Sequence, residues 1–494
     1  MKKLNNKNLP IVWSIAGSDS GGGAGIQADL KTMNILGVHG CSIITASTAQ
    51  NTVSVTDIHN IPLNHISSQY KALKKDLPAK AIKIGMLAKG NIIKKIFDLL
   101  SNIPNIPIIL DPVMISSSGS LLLDFNSIEM IKKLLFPIAE LITPNLFETE
   151  ILCNRKIKSI IDVEKSAEQI LENGAKSVII KCGNNNKFWA SDFFLDKSKK
   201  YWFNIPKIQN IQTHGLGCAF SAAIASARAL DFDLKSSVVL AKMFITQGIR
   251  LSKKISLYGY TPINNVSYPK FEQDIPLVSN IPISKIPQSF SRYKNTNNNI
   301  ELYPIVSSLQ ELKMLSETGC TIFQLRIKEI KSQKKLEEEI FNAIKFAKFK
   351  KIKLFINDYW KLAIEMQAYG IHLGQDDITT ADLNLIKNKN IKLGLSTHNF
   401  FEIAIAHYIK PSYISIGPIF PTKTKVMPYK EQGIERLKYW KSVLDYPIIA
   451  IGGINKKNIH LVKETKISGI SIISGILNAK DPILETKKIQ KLIS

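Results

Sequence analysis

The feature of this sequence that most constrains its fold is a regular alternation of short apolar runs and helical patterns after residue 300. Each apolar run has the length and β-branched composition of a strand, and a segment with helical periodicity follows it. Eight such units in about 195 residues predict a compact (β/α)8 TIM barrel. The predicted strands are 302–306, 321–327, 353–357, 370–374, 392–397, 413–419, 447–454 and 469–476.

Residues 1–265 alternate strand and helix patterns as well, and their strand-like runs are mostly apolar throughout. Such runs are typical of parallel strands covered on both faces, so this half is predicted as an α/β domain with a mainly parallel central sheet. Residues 266–299 are rich in Pro, Ser and Asn and are predicted as a linker before a barrel domain at 300–494. The predicted strands of the first half are 11–17, 41–47, 81–87, 106–114, 141–145 and 177–183.

The formal net charge of +25, from 65 Lys and Arg against 40 Asp and Glu, is compatible with a nucleic-acid or membrane partner. The excess is lysine scattered among Ile and Asn, as in IKNKNIKL, rather than arginine and aromatics in clusters. We therefore expect small phosphorylated substrates and neither nucleic acid nor membrane, with a basic nucleic-acid-binding protein as the alternative. The sequence leaves the oligomeric state open, and a homo-oligomer is compatible with it.

Five widely spaced cysteines without a CxxC pair argue for a reducing compartment and against disulfides or a zinc site. The sequence has neither a convincing signal peptide nor a run of 18 apolar residues. These observations predict a cytoplasmic protein.

Two glycine-rich segments stand at predicted strand-to-helix turns, SIAGSDSGGGAGIQADLKT (14–32) and THGLGCAFSAA (213–223). Free backbone amides at such a helix start favour a phosphate or a developing negative charge. Cys218 lies at the second helix start, where the pKa of a thiol is expected to fall. Tight turns without a ligand, and a buried structural cysteine, remain open alternatives. Neither segment has the Gly-Lys-Ser/Thr ending of a P-loop.

In the barrel, polar residues follow the predicted strands at their carboxyl ends, which is where such barrels place their sites. Gln324, Arg326 and Lys328 alternate along one strand face and suit a polyphosphate. Asp358 and Asp377 suit magnesium bound to a diphosphate. A solvated edge, a helix cap and bare glycine turns are the structural alternatives, and His372 is as compatible with a core position as with a ligand contact.

The motifs AGSDSGGGAGIQADLKT, ITASTAQNT (44–52), KIGML (83–87), DPVM (111–114), TPNLFET (143–149) and THGLGCAFSAA resemble hydroxymethylpyrimidine/phosphomethylpyrimidine kinase, a ribokinase-like enzyme of thiamine synthesis. The resemblance implies two ATP-dependent phosphorylations of one aminopyrimidine, with magnesium. It implies a catalytic Cys218, and a sugar kinase would carry aspartate there. The other implied contacts are Gln50, Asp29, Gly17, Met86 and Val113 for the pyrimidine, the amides of 215–218 including Gly215 and Gly217 for the transferred phosphate, Asn145 and Glu148 for magnesium and phosphate, and Lys181 for the nucleotide.

This first half departs from the family pattern at three positions. Leu216 and Ala219 stand where the family commonly has threonine, and Cys182 stands where it usually has glycine. Two hydroxyls are therefore missing beside the predicted anion hole, although the hole itself is built from backbone.

The motifs QLRIK, FINDYWKLAI, AYGIHLGQDD, GLSTH, GPIFPTKTK and AIGGI, in order over 300–494, resemble thiamine-phosphate synthase. That family joins hydroxymethylpyrimidine diphosphate to a thiazole phosphate and releases pyrophosphate, so the chain resembles a bifunctional fusion. The implied contacts are Gln324, Arg326, Lys328 and Asn357 for the pyrimidine diphosphate, Asp358 and Asp377 for magnesium, Ser396 and Lys425 for pyrophosphate, and Thr422, Thr424, Gly453, Ile473 and Ser474 for the thiazole phosphate.

Overall fold

The structure is a computed structural model, and it divides into two units, Met1–Lys285 and Ile286–Ser494. The residues it describes are 9–103, 105–114, 123–183, 188–209, 213–253, 261–263, 267–293, 300–330, 332–422 and 430–494. The division falls inside the stretch predicted as a linker, and the boundaries 1–265, 266–299 and 300–494 stay a prediction.

The first unit is built on one ten-stranded sheet. The strands described are β1 (Ile11–Asp19), β2 (His39–Gln50), β3 (Val55–Asn60), β4 (Ala81–Ile84), β5 (Ile108–Leu110), β6 (Leu141–Ile142), β7 (Ser177–Lys181), β8 (Trp189–Asp196), β9 (Lys200–Pro206), β10 (Thr213–His214), β11 (Thr261–Pro262) and β12 (Leu277–Ser279). The sheet order is β12-β9-β8-β7-β6-β5-β4-β1-β2-β3, and β10 and β11 pair separately.

The centre of this sheet is parallel, which confirms the predicted class. The pairs from β2 through β1, β4, β5 and β6 to β7 are parallel. The edge pairs of β3, β8, β9 and β12 are antiparallel. Each of the six predicted strands overlaps an observed one, whereas β3, β8, β9 and β12 were not predicted.

Helices cover this sheet, and they are α1 (Gly25–Ile35), α2 (Leu63–Asp76), α3 (Gly90–Leu100), α4 (Phe125–Met130), α5 (Leu146–Cys153), α6 (Ile160–Glu172), α7 (Leu216–Ala229) and α8 (Leu234–Arg250). Helix α7 is lined with alanine and serine, and Ala222, Ala223 and Ser226 are fully buried. Small side chains let this helix approach its neighbours closely, so its first turn is held firmly against the sheet.

The second unit is a closed parallel barrel whose strands pair in chain order, as predicted. They are β13 (Glu301–Val306), β14 (Ile322–Leu325), β15 (Lys353–Asn357), β16 (Gly370–Leu373), β17 (Lys392–Thr397), β18 (Tyr413–Ile416), β19 (Ile448–Ile451) and β20 (Gly469–Ile472). The helices are α9 (Leu309–Ser316), α10 (Gln333–Phe349), α11 (Trp360–Glu365), α12 (Gln375–Ile378), α13 (Leu383–Asn388), α14 (Phe400–Ile409), α15 (Gly433–Val443), α16 (Ile459–Lys463), α17 (Ser474–Leu477) and α18 (Pro482–Ile493).

Aromatic side chains fill part of the barrel interior. Tyr303, Phe355 and Tyr413 pack edge to face, with ring centroids 5.2–6.0 Å apart. A Cβ on Gly370 would lie 2.3 Å from the Phe355 ring, and one on Gly394 would lie 2.2 Å from the Tyr413 ring. Glycine at these two strand positions therefore makes room for the aromatic layer.

A segment before the first barrel strand completes this layer. Tyr293 is 2% exposed and its hydroxyl binds the Glu301 carboxylate. Its backbone N–H donates to Ser412 O at 3.0 Å, and the N–H of Phe290 donates to Lys410 O at 2.9 Å. Residues 286–293, within the predicted linker, are thus part of the barrel's packing.

We expect a fragment of residues 286–494 to be more stable than one of residues 296–494, since only the longer fragment retains Phe290 and Tyr293. Burying a large apolar side chain stabilises by about 1.5–3 kcal/mol, so the shorter fragment, which lacks two of them, should lose roughly 3–6 kcal/mol of unfolding free energy. Urea denaturation of the two fragments measures the difference. Equal midpoints would show that the segment merely rests on the barrel.

Among the described residues, no helix combines the length and the apolar composition needed to cross a bilayer.

Candidate active sites

The first cavity, of about 750 Å³, opens where β1, β4, β5, β6 and β7 end, beside the start of α7. Ten of the eleven residues predicted for the first half line it. They are Gly17, Gln50, Met86, Val113, Asn145, Glu148, Lys181, Gly215, Gly217 and Cys218. The strand ends and the second glycine-rich segment therefore form one site.

The first glycine-rich segment folds around Asp19 at the end of β1. The Asp19 carboxylate accepts hydrogen bonds from the backbone N–H groups of Gly21 (2.8 Å), Gly23 (3.0 Å) and Ala24 (2.7 Å). Burial would raise the pKa of Asp19, but its hydrogen bonds with His214 and with these amides hold that pKa below its usual value. These three amides bind the protein's own carboxylate, so they are not an anion site for a ligand.

Asp19 also connects to the predicted pyrimidine contact through a histidine. His214 Nε2 lies 3.5 Å from Asp19 Oδ2 and 3.3 Å from Gln50 Nε2. All three residues line the cavity. The position of the Gln50 amide is therefore set by a buried histidine and a charged aspartate.

The second glycine-rich segment lines the cavity at the position predicted for the anion hole. Gly215 has φ +78° and caps α7, and a Cβ there would lie 1.9 Å from Gly23 O. The next amides lie in the first helical turn, where no intrahelical acceptor is available to them. Close contact between the two glycine-rich segments thus holds these amides at the cavity, and only glycine fits at residue 215.

Cys218 lies in this first turn. The prediction that its pKa falls there is wrong. Burial raises the pKa of the Cys218 thiol to about 11, while Lys83 acts to lower it and Asp29 and Asp111 act to raise it. Loss of hydration and two nearby carboxylates outweigh the lysine. The resting group is a neutral thiol.

Asp29 lies behind the cavity wall, which corrects its predicted contact with the pyrimidine. Its side chain is fully buried, and Oδ2 accepts from Lys83 Nζ at 2.7 Å and from Ser14 Oγ at 2.6 Å. Lys83, which was not predicted, lines the cavity. Burial raises the pKa of Asp29 despite the lysine, and the Asp29 charge keeps the pKa of Lys83 above its usual value despite burial. Asp29 therefore acts on the cavity through Lys83.

A second ion pair stands at the opening of the anion hole. Lys181 Nζ lies 3.0 Å from Asp111 Oδ1. A Cβ on Gly217 would lie 3.1 Å from that ammonium and 3.5 Å from Asp111 Oδ2. Lys181 and Asp111, of which only Lys181 was singled out from the sequence, therefore face the α7 amides across the glycine. The nucleotide contact of Lys181 stays a prediction.

Asn145 and Glu148 form a capping box at the start of α5. The Asn145 side chain accepts from the Glu148 N–H, and the Glu148 carboxylate accepts from the Asn145 N–H, both at 2.8 Å. Burial raises the pKa of Glu148 to about 7, with Lys181 acting to lower it and Asp111 to raise it. Two neighbouring buried carboxylates fit a hard divalent cation such as magnesium, which would relieve their repulsion.

The second cavity, of about 720 Å³, lies at the carboxyl ends of the barrel strands. Its lining includes Gln324, Arg326, Lys328, Asn357, Asp358, His372, Asp377, Ser396, Thr422, Gly453, Ile473 and Ser474. Every predicted residue of this half that the structure describes is therefore in one cavity. Thr424 and Lys425 lie outside the described residues.

Asp358 and Asp377 form an acidic pair in this cavity. Asp358 adopts φ +66°, and its Oδ2 lies 2.6 Å from Lys328 Nζ. Burial and then the nearby Asp358 charge raise the pKa of Asp377, and the two carboxyl groups are within hydrogen-bonding contact. Adjacent oxygen ligands that repel each other fit magnesium. In the part of the chain described, no cluster of three metal-binding side chains occurs.

The glycines after β19 create a second recess. Gly453 has φ +69°, and a Cβ there would lie 2.6 Å from Phe420 O and from Pro421 O. The side chains of Asn455 and Asn458 donate to Gly453 O at 3.1 and 2.9 Å. This close crossing of two loops fixes the backbone where the phosphate of the thiazole is predicted to bind.

Comparisons with known proteins assign a family to each half of the chain. The family described as phosphomethylpyrimidine kinase matches residues 19–264, and the family described as thiamine monophosphate synthase matches residues 302–476. The chloroplastic thiamine biosynthetic bifunctional enzyme TH1 of Arabidopsis thaliana is 30% identical over 492 residues, covering 99% of this chain and 94% of the relative. This chain belongs to the bifunctional thiamine biosynthetic enzymes.

Each half of the bifunctional enzyme also has separate relatives. The thiamine-phosphate synthase of Proteus mirabilis is 43% identical over 206 residues, covering 42% of this chain and 95% of that protein. The pyridoxal kinase of Staphylococcus aureus in complex with AMP-PCP superposes with a TM-score of 0.51 at 31% identity, covering 56% of this chain and all of that one. Both predicted activities, hydroxymethylpyrimidine/phosphomethylpyrimidine kinase and thiamine-phosphate synthase, are thereby confirmed.

The structure also locates the three departures from the kinase pattern. Leu216 lines the cavity of the bifunctional enzyme, so the threonine hydroxyl that is missing at this position would have faced the cavity. Ala219 is fully buried and is not among the lining residues, so the second missing hydroxyl falls in the core. Cys182 is 6% exposed, and its backbone N–H binds Asp192 Oδ1 at 3.2 Å.

Sequence reasoning missed several cavity residues of the bifunctional enzyme. In the kinase half they are Asp19, Lys83, Asp111 and His214, and in the synthase half they include Gln375, His398 and Ser471. Asp19 stands two residues before the glycine run, and His214 directly precedes Gly215, so position near a glycine turn was the available signal.

Proposed function

We propose that this bifunctional enzyme converts an aminopyrimidine alcohol, ATP and a thiazole phosphate into thiamine phosphate, with Mg²⁺ in both cavities. The kinase half would form the pyrimidine diphosphate, and the synthase half would consume it. The observation that carries this proposal is that one chain contains two cavities, each lined by nearly all the residues predicted for its reaction.

In the kinase cavity, the Gln50 amide offers both a donor and an acceptor to the edge of the pyrimidine. The minor thiolate form of Cys218, which the Lys83 charge favours, would take the proton of the hydroxymethyl group as the hydroxyl oxygen attacks the γ-phosphate of ATP. The first amides of α7 would stabilise the charge on the transferred group, since preorganised donors at such a site lower the barrier. Lys181 would bind the nucleotide phosphates, and Asn145 with Glu148 would help to hold Mg²⁺.

The second phosphorylation differs in its nucleophile. The attacking oxygen then belongs to a phosphate that is already ionised near neutral pH. No proton has to be removed from it, so the Cys218 thiol would be needed less. Positioning by the anion hole and by Lys181 would account for most of the rate of this step.

In the synthase cavity, the reaction needs departure of pyrophosphate from the pyrimidine methylene. The pyrimidine amino group can push electrons toward that carbon, so the protein mainly has to neutralise and orient the leaving group. Arg326, Lys328 and Ser396 would do so. Asp358 and Asp377 would hold Mg²⁺, which adds charge neutralisation when bound. Asn357 and Gln324 would orient the pyrimidine.

The thiazole phosphate would bind in the recess after β19 and β20. Gly453, Ile473 and Ser474 would supply backbone and hydroxyl donors, with Thr422 beside them; Thr424 and Lys425, outside the described residues, would complete the phosphate contacts. These loops are the common phosphate site of such barrels.

We further propose that the partners of this enzyme are small molecules and that it acts in the cytoplasm. We also propose that 1–265 and 300–494 are domains joined by 266–299, of which 277–279 pair with the first sheet and 286–293 pack on the barrel.

A coupled assay tests the proposal. The purified chain, supplied with pyrimidine alcohol, thiazole phosphate, ATP and Mg²⁺, should produce thiamine phosphate, and leaving out any one component should stop production. Supplying the pyrimidine diphosphate should remove the need for ATP and for the pyrimidine alcohol, and for nothing else. Retention on DNA or RNA at physiological ionic strength, without turnover, would favour the nucleic-acid-binding alternative.

A further inference from the structure

Two residues of the synthase cavity are connected by hydrogen bonds that run through the interior of the barrel. Ser396 Oγ lies 2.8 Å from His372 Nε2, and His372 Nδ1 lies 2.7 Å from the Tyr413 hydroxyl. That hydroxyl lies 2.9 Å from the Tyr303 hydroxyl, which hydrogen-bonds Gln324. We call Ser396, His372, Tyr413, Tyr303 and Gln324 the buried polar chain.

The buried polar chain is enclosed, so its hydroxyl groups have few other hydrogen-bond partners. Tyr303 is 1% exposed and Tyr413 is fully buried, and the Phe355 ring packs against both. His372 is 6% exposed, and its two ring nitrogens face hydroxyl groups rather than carboxylates, a setting that a neutral ring satisfies. A neutral imidazole carries one N–H and one bare nitrogen.

With one proton on the His372 ring, the hydrogen bonds of the buried polar chain can run in either of two directions. If Nδ1 carries the hydrogen, Ser396 must donate to Nε2, and its hydroxyl hydrogen then points away from the cavity. If Nε2 carries the hydrogen, it donates to Ser396 Oγ, and the serine hydrogen is free to point into the cavity. Phosphate oxygens near neutral pH are mainly acceptors, so only the second direction lets Ser396 donate to them.

We propose that Tyr413 is a positioning residue of the synthase, which donates to His372 Nδ1 and so orients the Ser396 hydroxyl toward the leaving pyrophosphate. Tyr303 then donates to Tyr413, and Gln324 donates to Tyr303. The Gln324 carbonyl oxygen remains as the acceptor available to the substrate. The inference rests on the role proposed above for Ser396.

The test is Tyr413→Phe in the full chain, with Tyr446→Phe as the matched control. Tyr446 is 3% exposed and its hydroxyl lies 3.3 Å from His407 Nδ1, so the control removes a buried tyrosine–histidine hydrogen bond away from the cavity. We expect kcat of the synthase to fall about tenfold or more in Tyr413→Phe, since a hydrogen bond to a charged group is lost. KM for the thiazole phosphate should stay unchanged, and Tyr446→Phe should keep wild-type kinetics.

A double-mutant cycle with Ser396→Ala distinguishes positioning from general damage. In the Ser396→Ala background, Tyr413→Phe should cost little more, because the group it orients is gone. An equal loss in both backgrounds would overturn the proposal, as would wild-type kinetics of Tyr413→Phe. Absence of synthase activity in the unmutated chain would instead overturn the proposed function.

Histidine ring 15N spectra give a readout independent of activity. The signal assigned to His372, by its loss in His372→Gln, should show the Nε2–H tautomer in the wild type and a shift toward Nδ1–H in Tyr413→Phe. An Nδ1–H tautomer in the wild type would contradict the assigned direction.

Discussion

Replacing Cys218 by alanine should slow phosphorylation of the pyrimidine alcohol by about 10²–10⁴-fold, the usual contribution of a positioned proton acceptor. Burial raises the pKa of this thiol to about 11, so at pH 7 only its small thiolate fraction can accept the proton. Phosphorylation of the monophosphate should fall less, because that nucleophile is already an anion. Steady-state rates with each pyrimidine substrate measure both losses.

The controls for this variant lie in the same chain. Cys153 is buried and does not line the cavity, so Cys153→Ala should keep both kinase rates if the fold tolerates the change. Synthase activity with supplied diphosphate should be untouched in Cys218→Ala. Equal losses in the two phosphorylations would mean that Cys218 positions the substrate rather than taking its proton, and no loss would remove it from the mechanism.

Asp358→Ala and Arg326→Ala should each reduce synthase turnover by about 10²–10³-fold, as expected when one charge-assisted contact to a leaving group is lost. The two substitutions should impair the reaction in different ways. Without Arg326, binding of the diphosphate should weaken and pyrophosphate should leave slowly. Without Asp358, Asp377 loses its partner carboxylate, so the Mg²⁺ requirement should rise. Titrations of rate against Mg²⁺ and against the diphosphate separate the two.

Asp445 provides the control for loss of one negative charge outside the site, since it is exposed and absent from the cavity lining. Asp445→Ala should retain synthase kinetics, and all three variants should retain kinase activity. Near-wild-type synthase rates in both Asp358→Ala and Arg326→Ala would mean that the strand-end residues are not the active site.

The barrel was largely predictable because its signal is local and repeated. Each strand of a parallel barrel is an apolar run of a few residues before a helix, and all eight were found. The antiparallel strands β8 and β9 were missed, although their apolar residues are visible in sequence. Strand β12 was missed because it forms only against β9, about 70 residues earlier, and nothing in its three residues predicts that partner.

The site residues were likewise predictable where the sequence signal is local, and not where it depends on distant residues. Residues at strand ends or beside glycine turns, such as Asp358 and Gly215, were predictable because the topology brings those positions together. The place of Asp29 was not, because it depends on Lys83, 54 residues later in the chain. Position at a helix start also could not predict the direction in which the pKa of Cys218 shifts. Burial and two carboxylates from other elements set that direction.

The left-handed backbone of Asp358 has a consequence for how this chain can change. A residue other than glycine at φ +66° costs up to about 1–2 kcal/mol, which aspartate reduces only in part. Glycine at 358 would relieve that cost and remove the carboxylate at once. Selection for heat resistance and selection for vitamin synthesis therefore pull in opposite directions at this residue. A laboratory lineage evolved only for thermal stability would be free to discard an aspartate that a cell depending on its own thiamine has to retain.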